Sequence, residues 1–180
     1  MAISDLDRWF ELSDGVNTIK VTLYEALDYS QTYEIFGGST VHRMLDGSAV
    51  KQTNWRKLRT TLSGNGGIPL GMSALDYTGT LTLKCGVTRS ISSVNNIIPL
   101  PVARRIDTGY TPSARKIIDG IAVPTTSSLT GDTLTVTVDP LAQGYIASYF
   151  PELVVTMNDP SETFSYSGNS SGWSIIAEEV

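Results

Sequence analysis

Cysteine and histidine each occur once in 180 residues, and no apolar run approaches the ~18 residues that a membrane-spanning helix needs. A lone cysteine, Cys85, excludes an internal disulfide framework, so the fold has to rest on burial and hydrogen bonding. Cys85 and His42 together fall short of a zinc site, and the acids lack EF-hand spacing, so no metal and no cofactor is expected. Any mechanism that needs imidazole must use His42, which sits in the middle of a predicted strand. No G-x-S-x-G elbow is present. Gly64-Asn65-Gly66-Gly67 lacks the Lys-Ser/Thr of a phosphate loop and runs toward Pro69, which makes it a turn. These absences together predict a protein that is not an enzyme.

The 3.6-residue period of an amphipathic helix is equally scarce, and a helical turn is expected only at Leu70–Asp76 and around Arg8–Leu12. Alternation of apolar and polar residues fills the rest of the chain. Over 16–24, Ile19, Val21 and Leu23 oppose Thr18, Lys20 and Thr22; over 80–86, Leu81, Leu83 and Cys85 oppose Thr80, Thr82 and Lys84. The same holds for Leu134, Val136 and Val138, for Leu153, Val155 and Met157, and for Trp173, Ile175 and Ala177. Turn residues punctuate these segments at Asp14-Gly15, Gly37-Gly38, Asp46-Gly47, Gly131-Asp132 and Asp159-Pro160. The fold class predicted is all-β, an antiparallel β-sandwich or barrel with at most one or two short helices. One β domain over 1–180 suits the length, with 88–115 as a long loop or insertion that holds Pro99, Pro101, Pro112 and Arg104-Arg105. Residues 116–157 have an Ig-like or fibronectin-like flavour, since Gly144–Tyr149 follows a Thr-rich strand and a turn. Asn169-Ser170-Ser171 reads as a surface turn.

Charge is unevenly placed. The whole chain carries −5, yet residues 40–63 hold Arg43, Lys51, Arg56, Lys57 and Arg59 against Asp46 alone, a net of +4 that leaves −9 for the remainder. A compact basic zone on an acidic body suits either nucleic acid or an acidic protein surface, a second copy included. Stacking aromatics are not interleaved along it, which favours protein and argues against sequence-specific nucleic-acid binding. Asp46-Gly47 between alternating segments predicts a hairpin with a two-residue type I′ loop. That loop sets Arg43 opposite Val50 and His42 opposite Lys51, with neither face cleanly apolar or polar, as expected of a hairpin covered by other protein. In the strand that follows, Leu58, Thr60 and Leu62 share one face, while Trp55, Lys57, Arg59 and Thr61 share the other, a combination suited to an interface anchor. Exposed aromatics such as Trp55, Tyr110 or Trp173 leave open an alternative, a carbohydrate-binding β-sandwich. The acidic start Met1-Ala2-Ile3-Ser4-Asp5, with no apolar segment after it, predicts a protein made and used without Sec export.

The run from Thr40 to Gly64, with Asp46-Gly47 at its turn and Asn54-Trp55-Arg56-Lys57-Leu58-Arg59 after it, resembles small tail proteins of tailed bacteriophages. So do Leu75-Asp76-Tyr77 before the strand Thr80–Cys85, and Gly172-Trp173-Ser174-Ile175-Ile176-Ala177-Glu178-Glu179; together these cover about half of the chain. The resemblance implies a structural virion protein made in the host cytoplasm: a distal tail protein, or else a tail tube or other baseplate subunit. It implies a β-sandwich related to tail tube subunits and a homo-oligomeric ring, hexameric in that family. Its partners would be the tail tube protein and the baseplate or tail-tip hub. Carried onto this chain, the ring or stacking interface is Arg43, Lys51, Trp55, Arg56, Lys57 and Arg59. The chain is short for a distal tail protein with a full second domain, and 88–115 has no counterpart in the resemblance.

Overall fold

In a computed structural model, which describes residues 9–21 and 28–180, the chain is all-β with antiparallel sheets. Six strands come first: β1 (Glu11–Ser13), β2 (Thr18–Lys20), β3 (Ser30–Phe36), β4 (Ser39–Arg43), β5 (Ala49–Thr53) and β6 (Lys57–Gly66). After a single 3-10 turn at Met72–Ala74 come β7 (Leu81–Lys84), β8 (Arg89–Ser93), β9 (Ile97–Pro99), β10 (Ser113–Ile118), β11 (Ile121–Thr125), β12 (Ser127–Thr130), β13 (Thr133–Val136) and β14 (Gly144–Tyr149). The last three are β15 (Glu152–Met157), β16 (Ser161–Ser165) and β17 (Ser170–Glu179). The helical turn expected at 70–76 is the 3-10 turn; of the other, Arg8 lies outside the described residues and Glu11-Leu12 belong to β1. Residues 22–24, the end of the first alternating segment, also lie outside them.

Where the sequence suggests one domain, the chain divides into two compact units, Leu12–Thr82 with Val154–Val180, and Leu83–Leu153 with the described residues up to Glu11. The large sheet has the order β2-β1-β7-β15-β17-β6-β3, with β16 added on β17. Alternation sets its buried face. In β6, Leu58, Thr60 and Leu62 point inward as the sequence predicts, and in β17 Trp173, Ile175 and Ala177 do the same. Trp173 lies on Gly64, where an added Cβ would come within 2.6 Å of the indole, so this position takes glycine. The opposite face carries an ion ladder, Arg59 between Glu34 at 3.6 Å and Glu178 at 2.7 Å, beside Ile176 and Thr61.

The unit of 83–153 is a sandwich of two sheets, β11-β10-β14-β8 and β12-β13-β9, joined by a core of Ile98, Leu134 and Val136 from one and Ala114, Tyr145, Ala147 and Tyr149 from the other. Taking β9 to β14 as strands B, C, C′, D, E and F, both sheets have the neighbour order of an Ig sandwich, with β8 in the place of strand G. Tyr145, near the start of β14, accepts a hydrogen bond on its hydroxyl from the Asp139 N–H at 3.2 Å, the arrangement of a tyrosine corner. The Ig-like flavour expected for 116–157 thus extends back to β8. Val138 does not continue the buried row of β13; it is 66% exposed, because both ladders of β13 end at Val136 or before.

Residues 88–115 hold β8, β9, the start of β10 and a folded loop rather than a bare connector. Two arginines that no apolar pattern signals order that loop. Arg104 donates to the carbonyls of Pro101 and Gly131 and pairs with Asp132 at 2.7 Å. Arg105 is 1% exposed; it donates to the carbonyls of Trp9 and Cys85 at 2.9 and 3.2 Å and to Asp107, and lies over the Tyr110 ring. Burial pushes the Asp107 carboxyl up, but the hydrogen bonds and charge of Arg105, with Lys84, hold it below the usual carboxylate range. A carboxyl lowered in the folded state contributes stability that is complete above its ordinary value of about 4 and is lost as pH falls through the lower folded value. Arg105→Ala should cost on the order of 3 kcal/mol, because it leaves buried acceptors and a partly buried acid uncompensated. Thermal melts from pH 7 to 2 check this: the parent should lose this share of stability on acidification, and the variant should lack it already at pH 7.

Candidate functional site

The two-residue loop expected at Asp46-Gly47 is not the one formed. The observed ladder pairs Arg43 with Ala49, His42 with Val50 and Val41 with Lys51, one residue out of the predicted register. The Gly47 N–H bonds the Met44 carbonyl and the Met44 N–H bonds the Ser48 carbonyl, which closes a three-residue loop, Leu45 to Gly47. Gly47 alone takes positive φ, at 82°. Asp46 prefers a type I turn here because its carboxylate accepts the Ser48 hydroxyl at 2.7 Å and the Ser48 N–H at 2.9 Å; the same two bonds lower its pKa. A type I turn followed by glycine in the left-handed region is the standard three-residue hairpin loop with its bulge. The slip re-pairs every residue across the hairpin. Both faces are still mixed: Val41 and Arg43 lie beside Lys51 and Ala49, and Thr40 and His42 beside Gln52 and Val50.

Strands β4 and β5 form a sheet of their own, and every residue from Ser39 to Arg56 is exposed. An isolated two-stranded hairpin is marginal in water, and this one displays Val41, Met44, Leu45 and Val50 on it. At its base Trp55 meets Phe36 edge to face, with ring centroids 5.4 Å apart. Gly38 lets the indole lie against the backbone, since a Cβ there would come within 2.6 Å of Nε1. Trp55, Phe36, Lys51 and Arg56 line one shallow groove where the arm leaves the sheet.

The six residues predicted as an interface therefore divide. Arg43, Lys51, Trp55 and Arg56 lie on the arm or at its base, and Arg43 donates to the Gly47 carbonyl at 3.1 Å. Among the described residues, Lys51 and Arg56 form no ion pair. Arg59 and Lys57 are engaged within the sheet, Arg59 in the Glu34–Glu178 ladder and over the Phe36 ring at 4.9 Å, and Lys57 on the Val180 carbonyl. Of the aromatics proposed for glycan binding, Trp173 is 4% exposed and Tyr110 is occupied by Arg105, Phe150 and the Trp9 backbone.

One feature of the same unit carries no metal or catalytic signature and is absent from the site residues that the sequence suggests. Leu75, Asp76, Tyr77, Met157, Asp159 and Glu162 line two adjoining hollows. Burial pushes the Tyr77 hydroxyl up to about 12, with help from the charges of Glu162, Asp159 and Asp14. Asp14 caps the region, its carboxyl drawn down to about 2 by the N–H groups of Asn17, Val16 and Asp76. Residues 60–83 and 154–180, which supply the walls, contain no lysine or arginine. The signal available in sequence was this absence of cations over two long segments. Among the described residues no group of histidine, cysteine and acids is placed to hold a metal ion. Comparison with protein-family models, curated proteins and solved structures found nothing that matches the chain. Gly38→Ala should force Trp55 off Phe36, changing the near-ultraviolet circular dichroism while moving the thermal midpoint by only about 2–4 °C. An unchanged tryptophan signal would mean that the contact does not hold the indole.

Proposed function

We propose that this protein is a structural subunit of a phage tail, forming a ring at the distal end of the tail tube that connects it to the baseplate or tip hub. The observation that carries this reading is the bare arm of residues 39–56, two strands with open edges, five exposed large apolar residues and, among the described residues, cations without an ion-pair partner. Such an arm has no benefit to a solitary monomer: its edges invite pairing and its apolar residues add nothing to a core. In an oligomer the same edges are closed by neighbouring copies, and the hazard becomes the means of assembly. The tail-protein resemblance of residues 40–64 falls on this arm and on the strand that follows it. The interface proposed from sequence narrows to Arg43, Lys51, Trp55 and Arg56, since Lys57 and Arg59 have internal roles.

The test is the mass and appearance of the purified protein. Light scattering should give a multiple of 19.4 kDa and negative-stain images should show closed rings. Replacement of residues 40–52 by a short Gly-Ser link should yield monomers with the β-type circular dichroism of the parent. A parent that remains monomeric at tens of micromolar, or an armless variant of parental mass, would overturn the reading.

A further inference from the structure

The arm and the acidic hollows are complementary in the two respects that matter for docking. The arm carries Arg43, Lys51 and Arg56 without a carboxylate partner among the described residues, together with Val41, Met44, Leu45 and Val50. The hollows carry the exposed acids Asp76, Asp159 and Glu162, without a cation in either flanking segment, around the half-buried Tyr77, with Leu75 and Met157 buried beneath them. Their volumes, about 550 and 530 Å³, leave room for side chains from a hairpin tip.

The sheet holds these two surfaces apart within one copy. The arm leaves where Phe36 pairs with Lys57, at the first residue of β6. The hollows begin where β15 ends at Met157, which pairs with Ala177, and continue past it to Glu162, which pairs with Trp173 and so stands level with Gly64. The hollows therefore stand level with Thr60 to Gly64, three to seven residues along β6 from the root of the arm, on the order of 10–20 Å at strand rise, and across β17 from it. Two complementary surfaces at separate places on one sheet can satisfy each other between copies, head to tail.

We propose that the arm of one copy docks on the acidic hollows of the next, with Lys51, Arg56 and Arg43 facing Asp76, Asp159 and Glu162 and the apolar residues of the arm lying over the half-buried Tyr77. The contact is heterologous: each copy offers an arm on one side and a receptor on the other, which closes into a ring when the rotation between copies closes. It rests on the self-assembly reading above and names the surface that the arm meets. Opposed charges of this kind set register and exclude wrong neighbours as well as adding affinity.

A charge exchange in the full chain tests it. Lys51→Glu with Arg56→Glu should raise the concentration for half-assembly at least tenfold, as should Asp159→Lys with Glu162→Lys, each with parental circular dichroism. Mixed in equal amounts, or combined in one chain, the two pairs should recover assembly to within a few-fold of the parent, because each reversed arm meets a reversed receptor. The parent should weaken as salt rises from 0.05 to 0.5 M, as expected for ion pairs that are partly screened. Parental assembly by both reversed variants, or loss without recovery when they are combined, overturns the docking while leaving the ring reading intact. A parent that never assembles overturns both, and the two failures are therefore distinct.

Discussion

The pairing of β6 with β17 is the constraint on which the larger unit depends. Eight consecutive residue pairs, from Glu178 with Arg59 to Ser171 with Gly66, join segments more than a hundred positions apart in the chain. The large sheet of that unit is built out from these two strands: β3 pairs with β6, and both β15 and β16 pair with β17. Bringing such distant segments together is entropically costly for a flexible chain. The intervening residues reduce that cost by forming a sandwich with its own core, between a strand, β7, and its neighbour in the sheet, β15.

The same strand β6 sets the contrast that leaves the arm bare. From Lys57 onward its side chains alternate between the interior and the Glu34–Arg59–Glu178 ladder, and both faces are accounted for. On the other side of Trp55 the chain doubles into an arm whose two faces both meet solvent. Trp55 and Gly38 mark the boundary, an indole seated on a backbone that has no room for a Cβ. Burying even half of the arm's apolar residues against another chain would be worth several kcal/mol at about 25 cal/mol per Å², a gain the isolated copy does not have.

In the sandwich of 83–153 the organising groups are polar. Arg105 gathers the backbone of Trp9 and Cys85, the carboxylate of Asp107 and the face of Tyr110 around one guanidinium, and Arg104 does the same for Pro101, Gly131 and Asp132. A planar group with five donors bridges loops that lack the apolar residues to pack on one another. This is why the proline-bearing stretch of 100–112 is ordered without any hydrophobic period of its own.

The sequence by itself determined what depends on a period of two: the all-β class, the strands around Leu81–Cys85, Leu153–Met157 and Trp173–Ala177 with their buried faces, and the core position of Cys85. Those follow from neighbours one and two residues away, and alternation records them directly. Tertiary structure decided whatever depends on partners distant in the chain. The hairpin loop is a local exception that alternation does not record: Asp46 exchanged a two-residue loop for a three-residue one through bonds to Ser48, two residues on, which moved the hairpin register by one. Arg59 and Lys57, which sequence groups with the interface cations, are engaged on the outer face of the sheet because Glu178 and Val180 arrive beside them on β17 and just beyond it. Arg104 and Arg105 became buried because carbonyls and acids converge on them from four separate segments. The acidic hollows exist only because residues 72–78 and 157–162 meet in space. Periodicity encodes which face of a strand is wet, whereas the pairing of charges is set by which strands become neighbours.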